Sequence, residues 1–175
     1  MSSEKPTSGA VLRWALRFGV GAGVLCALWL VGLQLTGNNP FGPKRLLAHF
    51  TVPIAVVASQ YMLRRSLRPE KPGVGRALAV GGLTAILAAL IAASSLYSLG
   101  RGAGPRAVET SRAELLEIAR AEREYLVKQG GEAAYQQQLR QLERLTITDI
   151  AQNDFSKILL LGLIFALPAG VFFRE

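Results

Sequence analysis

With 175 residues, half of them hydrophobic and only 18% charged, the chain falls below the roughly 25% charge of an ordinary soluble domain. Its net charge of +8 would suggest nucleic acid on a soluble protein, but the Lys and Arg here lie between long apolar runs, the pattern of membrane-topology signals, so no nucleic-acid partner is expected. A single cysteine, Cys26, excludes an intrachain disulfide and cannot by itself make a metal site.

The residues up to 17, with Lys5, Arg13 and Arg17, form a basic leader to the first apolar run, Phe18–Leu35. That run is too long for a signal-peptide core and ends without a small-x-small cleavage site, so it is expected to stay as a helix. The breaker-rich stretch from Thr36 to Pro43 is a short loop. The second run, Leu46–Leu63, carries Pro53, which predicts a kink with the freed carbonyl near Ala48 or His49. A basic loop follows, with Arg64, Arg65, Arg68, Lys71 and Arg76 against the single acid Glu70. The third run is Ala77–Leu99 and the fourth is Ile158–Phe173. At 1.5 Å per residue the four runs make helices of roughly 24–34 Å, close to the ~30 Å hydrocarbon core of a bilayer. None contains Asp, Glu, Lys or Arg.

Between the third and fourth runs lies the one sizeable polar region, 100–157, with nine basic and nine acidic residues. The glycine-rich stretch Gly100–Pro105 reads as a hinge. Ser111 and Glu114 have capping-box spacing, and Gly130-Gly131 stops the helix that follows. A second arm begins near Glu132, with Tyr135, Leu139, Leu142 and Leu145 on one stripe. The region therefore reads as an amphipathic helical hairpin. The expected fold is all-α: four transmembrane helices, with the hairpin between the third and the fourth, and residues 158–175 as the last span and a short C-terminus. Counting Lys and Arg over the short loops places both termini in the cytoplasm and the hairpin outside.

Small residues recur at intervals of four where membrane helices pack: Gly19, Gly23 and Ala27; Gly81 and Ala85; Gly162, Ala166 and Gly170. Intrachain packing explains them, and self-association would use the same ridges. The basic loop can also hold anionic lipid head groups through Arg64, Arg65, Arg68, Lys71 and Arg76.

Chemistry is sparse. His49 reads as a side chain snorkelling to the interface, and Asp154 as a carboxylate complementing the dipole of the fourth helix. An enzymatic site would require the two to converge near one membrane surface, with Arg101 as a further partner. No nucleophile elbow, phosphate loop or metal pair accompanies them, so no catalytic, cofactor or metal residue is expected. The expected role is that of a non-enzymatic accessory or interaction protein, using Tyr125, Leu126, Tyr135, Leu139 and Leu142 or the small-residue faces toward itself or another membrane protein. The alternative is a small permease or channel acting as an oligomer, supported by Gln60 and the other polar groups of the second run.

Several features occur together: the glycine-rich first span, Gly37-Asn38-Asn39-Pro40, the basic turn from Arg64 through Gly73, the Gly131–Gln138 segment, and the end of the last span at Phe173-Arg174. In these the chain resembles a family of uncharacterised four-pass bacterial membrane proteins, known chiefly from Bacteroidetes and catalogued as a domain of unknown function. The resemblance implies an inner-membrane location and the same threading, and carries over no catalytic residue.

Overall fold

In the computed structural model, residues 5–174 are described; residues 1–4 of the N-terminal segment and Glu175 lie outside them. Six α-helices follow one another: α1 (Lys5–Leu35), α2 (Thr51–Ser66), α3 (Gly73–Ala103), α4 (Pro105–Ala121), α5 (Arg123–Glu143) and α6 (Ile147–Phe172). A 3₁₀ segment, Pro43–Phe50, leads directly into α2. Among the described residues, four helices are long and apolar enough to cross a membrane, the 3₁₀ segment and α2 counting as one. The protein is an all-α polytopic membrane protein.

The alanine-rich α3 stands in the middle, packed against α1, α2 and α6. Its Ala77, Ala85, Ala88, Ala89 and Ala92 are buried, and small side chains there let three neighbours approach at once. Gly19 and Gly23 of α1 lie against Leu87 and Ile91 of α3, so close that a Cβ would fall 2.8 and 2.6 Å from theirs. Gly162 of α6 lies in the same way against Ala85, and Gly170 against Leu78. Ala166 is buried on the same face of α6, while Ala27 is half-buried on α1. The outer faces stay apolar, as in Leu28, Ile54 and Leu160, which is the surface a lipid environment accepts.

Pro53 does not kink the second span. The chain enters as a 3₁₀ segment and becomes α-helical at Thr51, so Pro53 sits in the first turn of α2, where a missing N–H is tolerated. The Ala48 carbonyl is satisfied there by the Thr51 N–H and by Thr51 Oγ1 at 2.7 Å.

The predicted helix starts near the polar region also shift. α3 runs through the expected hinge to Ala103, and the chain turns at Gly104, whose φ of 79° suits a glycine. Pro105 then opens α4, so Ser111 lies buried inside that helix and caps nothing. The capping box belongs instead to α6: Thr146 Oγ1 accepts the Asp149 N–H, and the Thr146 N–H donates to Asp149 Oδ2 at 2.9 Å. Gly131, with φ 78° and ψ 168°, leaves the helical conformation and divides α5 into two arms where the sequence places the stop, while at Glu122 the chain only turns slightly, with the i→i−4 bonds of Glu122 and Leu126 kept. α4 and α5 pack on each other.

Candidate functional site: a buried Arg–Asp–His cluster

The capping box starts α6 eleven residues before the apolar run that marked it in the sequence. Asp154 therefore lies about two turns inside the helix and is 2% exposed, and Asp149 takes the dipole-complementing position. Opposite Asp154 is the 3₁₀ segment, whose Arg45 and His49 are also buried. Arg45 Nε donates to Asp154 Oδ1 at 3.0 Å, and His49 Nε2 lies 3.1 Å from the same oxygen. The Arg45 guanidinium also donates through Nη1 to the carbonyls of Phe41 and Gly42. An ion pair out of water persists only when its remaining donors are satisfied, and the two loop carbonyls do this.

His49 and Asp154 thus converge, and neither is the surface group that the sequence suggests. Arg101 does not join them; its guanidinium stacks on Tyr97, 5.5 Å from the ring centroid. Arg45 takes that place. It sits just before the second apolar run, where its position looks like that of an ordinary loop cation. The signal that marks it is its spacing: a lone histidine four residues on, inside an apolar run with no acid of its own. Charges at membrane depth are paired as a rule.

Around the cluster the chain is tied at one end of the bundle. Phe41 is fully buried with Leu30, Leu96 and Ile150, and Ala107, Val108, Leu145 and Ile147 pack against them. Asn39 Nδ2 donates to Glu114 of α4 at 2.6 Å, and Arg112 of α4 donates to the Leu145 carbonyl at 2.8 Å. The loop after α1, the start of α4 and the start of α6 are therefore joined around Arg45 and Asp154. Cys26 lies nearby on the core side, donating to the Ala48 carbonyl at 3.6 Å. Among the described residues no group of three His, Cys, Asp or Glu is placed to hold a metal ion.

A second polar cluster lies inside the bundle. Gln60 is fully buried, and its Nε2 donates to the carbonyls of Ala77 at 3.0 Å and Ala166 at 2.9 Å. Gly81 and Gly170, one turn beyond each carbonyl, leave the space that the amide occupies. One side chain from α2 thus bridges α3 and α6. Ser59 donates to the Val56 carbonyl, and Thr84 Oγ1 lies 3.0 Å from Ser59 Oγ.

The other predicted groups are spread over the molecule. Tyr135 is buried, with Arg123 from the other side of the Gly131 break stacked on its ring, and Leu126, Leu139 and Leu142 are half-buried. Tyr125 is 60% exposed. Arg65, Arg68, Lys71 and Arg76 are exposed and Arg64 half-exposed at the opposite end of the bundle, where the Gly73 N–H meets the Arg174 carbonyl.

A family model described as "Protein of unknown function (DUF4199)" matches residues 17–175. The chain belongs to this family. No curated protein and no solved structure matches it. The DUF4199 match takes in the first span from residue 17 onward, the other three spans and the α4–α5 pair, so the Arg45, His49 and Asp154 cluster lies wholly within the family region.

Proposed function

We propose that this DUF4199 protein is a non-enzymatic accessory protein of the bacterial inner membrane, with both termini in the cytoplasm and α4–α5 as an outer helical hairpin that meets a partner. The observation that carries the reading is the way the hairpin is held. Its root is pinned to the bundle through Glu114, Arg112 and the segment around the Arg45–Asp154 pair. Its far part leaves Ile118 and Tyr125 exposed. A held root with an exposed aromatic ring beyond it is a geometry suited to docking. The Arg and Lys crowded between α2 and α3 support the orientation, and they lie where anionic head groups of the inner leaflet would meet them.

The buried cluster supports a structural rather than a chemical use. Asp154 Oδ1 is engaged by both neighbours, and Arg45 is spent on the pair and on two carbonyls. The permease alternative needs a polar path through the bundle. The Gln60 Nε2, Ser59 and Thr84 donors instead bond to backbone carbonyls or to each other, which favours the accessory reading, and Gln60 Oε1 alone is left buried without a partner.

Co-purification from native membranes in mild detergent tests this. The expected result is a stoichiometric partner that is lost when Ile118→Glu and Tyr125→Glu are combined, with the melting temperature of the protein unchanged. Recovery of the protein alone, together with solute flux in liposomes abolished by Gln60→Leu, would replace the accessory reading with the permease.

A further inference from the structure

Within the first apolar run, the glycines of α1 fall into two sets. Gly19 and Gly23 face α3, as described. Gly21 and Gly32 face nothing: a Cβ on either would have no neighbour within 4 Å. At 100° per residue, their eleven-residue separation places them only about 20° apart around the helix, on the side away from α3. Glycine weakens a helix, so two on one open face call for a reason other than helix packing.

Each of them floors a groove. One groove, of about 620 Å³, runs between α1 and α2 over Gly21, with Arg17 at its end. The other, of about 650 Å³, lies over Gly32 between α1 and the 3₁₀ segment, with Trp29 and Lys44 on its rim. Leu25 lines both, so the two form one strip along α1. Both volumes lie within the ~300–1,000 Å³ range of small-molecule sites. From Arg17 to Thr36 the helix rises about 28 Å, close to the thickness of the hydrocarbon core. The strip therefore spans both leaflets, apolar along its length and positive at each end. The Lys44 end is held in shape: Trp29 Nε1 donates to the Lys44 carbonyl at 3.1 Å, and Lys44 Nζ to Asn38 Oδ1 at 2.5 Å.

We infer that this strip binds anionic phospholipid, one molecule in each leaflet, with acyl chains over Gly21 or Gly32 and the phosphates on Arg17 and Lys44. An apolar trough closed by a cation at each membrane surface is complementary to that class of molecule, and a zwitterionic head group would gain less from the same ends. The inference holds for either orientation of the chain.

Native mass spectrometry of the delipidated full-length protein, titrated with dioleoylphosphatidylglycerol or dioleoylphosphatidylcholine, tests it. Two phosphatidylglycerol molecules are expected to be retained in preference to phosphatidylcholine. Arg17→Glu and Lys44→Glu each remove one of them, weakening its binding by at least about fivefold. Gly21→Phe and Gly32→Phe fill the grooves and do the same without altering charge, while thermal melts report that the fold is kept. Arg120→Glu, exposed on α4 and off the strip, leaves both lipids bound. Equal retention of the two lipids, an Arg120→Glu effect as large as the others, or a second copy of the chain on the strip would overturn the inference.

Discussion

Asp154→Ala is expected to destabilise the protein by about 3–5 kcal/mol, since it leaves the Arg45 guanidinium buried without its carboxylate. Arg45 is 7% exposed and turned inward on two loop carbonyls, so it has little access to water when the partner is lost. The paired replacement Arg45→Met with Asp154→Leu removes both charges and is expected to recover most of that loss, because the penalty belongs to the orphaned charge. His49→Ala reads the state of the imidazole. A loss of about 1 kcal/mol marks a neutral donor to Asp154, and roughly 1.5–3 kcal/mol a charged one. Reversible unfolding in detergent micelles measures all three. A double variant less stable than Asp154→Ala would mean that the cluster stabilises through the charges themselves.

Gly162→Leu is the second large effect. At Gly162 an added Cβ would fall 2.5 Å from Ala85 Cβ and 3.4 Å from Val52 Cγ1, where α6, α3 and α2 meet. The Ala85 Cβ is fixed to the α3 backbone and cannot swing aside, so the helices must separate. Overpacking of this kind costs about 1–3 kcal/mol, and the loss is expected at the upper end of that range. Gly82→Leu, one position along α3 from the packed Gly81, adds its side chain where nothing lies within 4 Å and is expected to be neutral. Equal melting temperatures for the two variants would contradict the packing described here.

The spans were legible because membrane helices announce themselves by uninterrupted apolar length, which no tertiary detail overrides. Helix ends were less so. The third span outruns its apolar run at both ends, from Gly73 to Ala103, because a helix continues until a residue such as Gly104 turns it. The pair Thr146 and Asp149 has the same spacing as Ser111 and Glu114, and the pattern alone does not rank them. Pro105 decides between them, since a proline after a glycine starts a helix before Ser111 is reached. Arg45 and Asp154 were hidden for a different reason. They are 109 positions apart, and local periodicity has no reach over that distance. What the sequence does hold is a charge at the edge of each of two apolar segments, which makes sense only once the helices are brought side by side.

The orientation of the hairpin underlies the whole functional reading, and one labelling experiment addresses it. In a Cys26→Ser background, Gln137→Cys on α5 and Arg68→Cys in the α2–α3 turn are exposed positions at opposite ends of the bundle. Intact cells are treated with a membrane-impermeant maleimide once the outer membrane has been made permeable. Labelling at position 137 in intact cells, and at position 68 only after lysis, is the predicted result. The reverse pattern would place α4 and α5 in the cytoplasm and contradict an accessory protein that meets its partner outside the membrane.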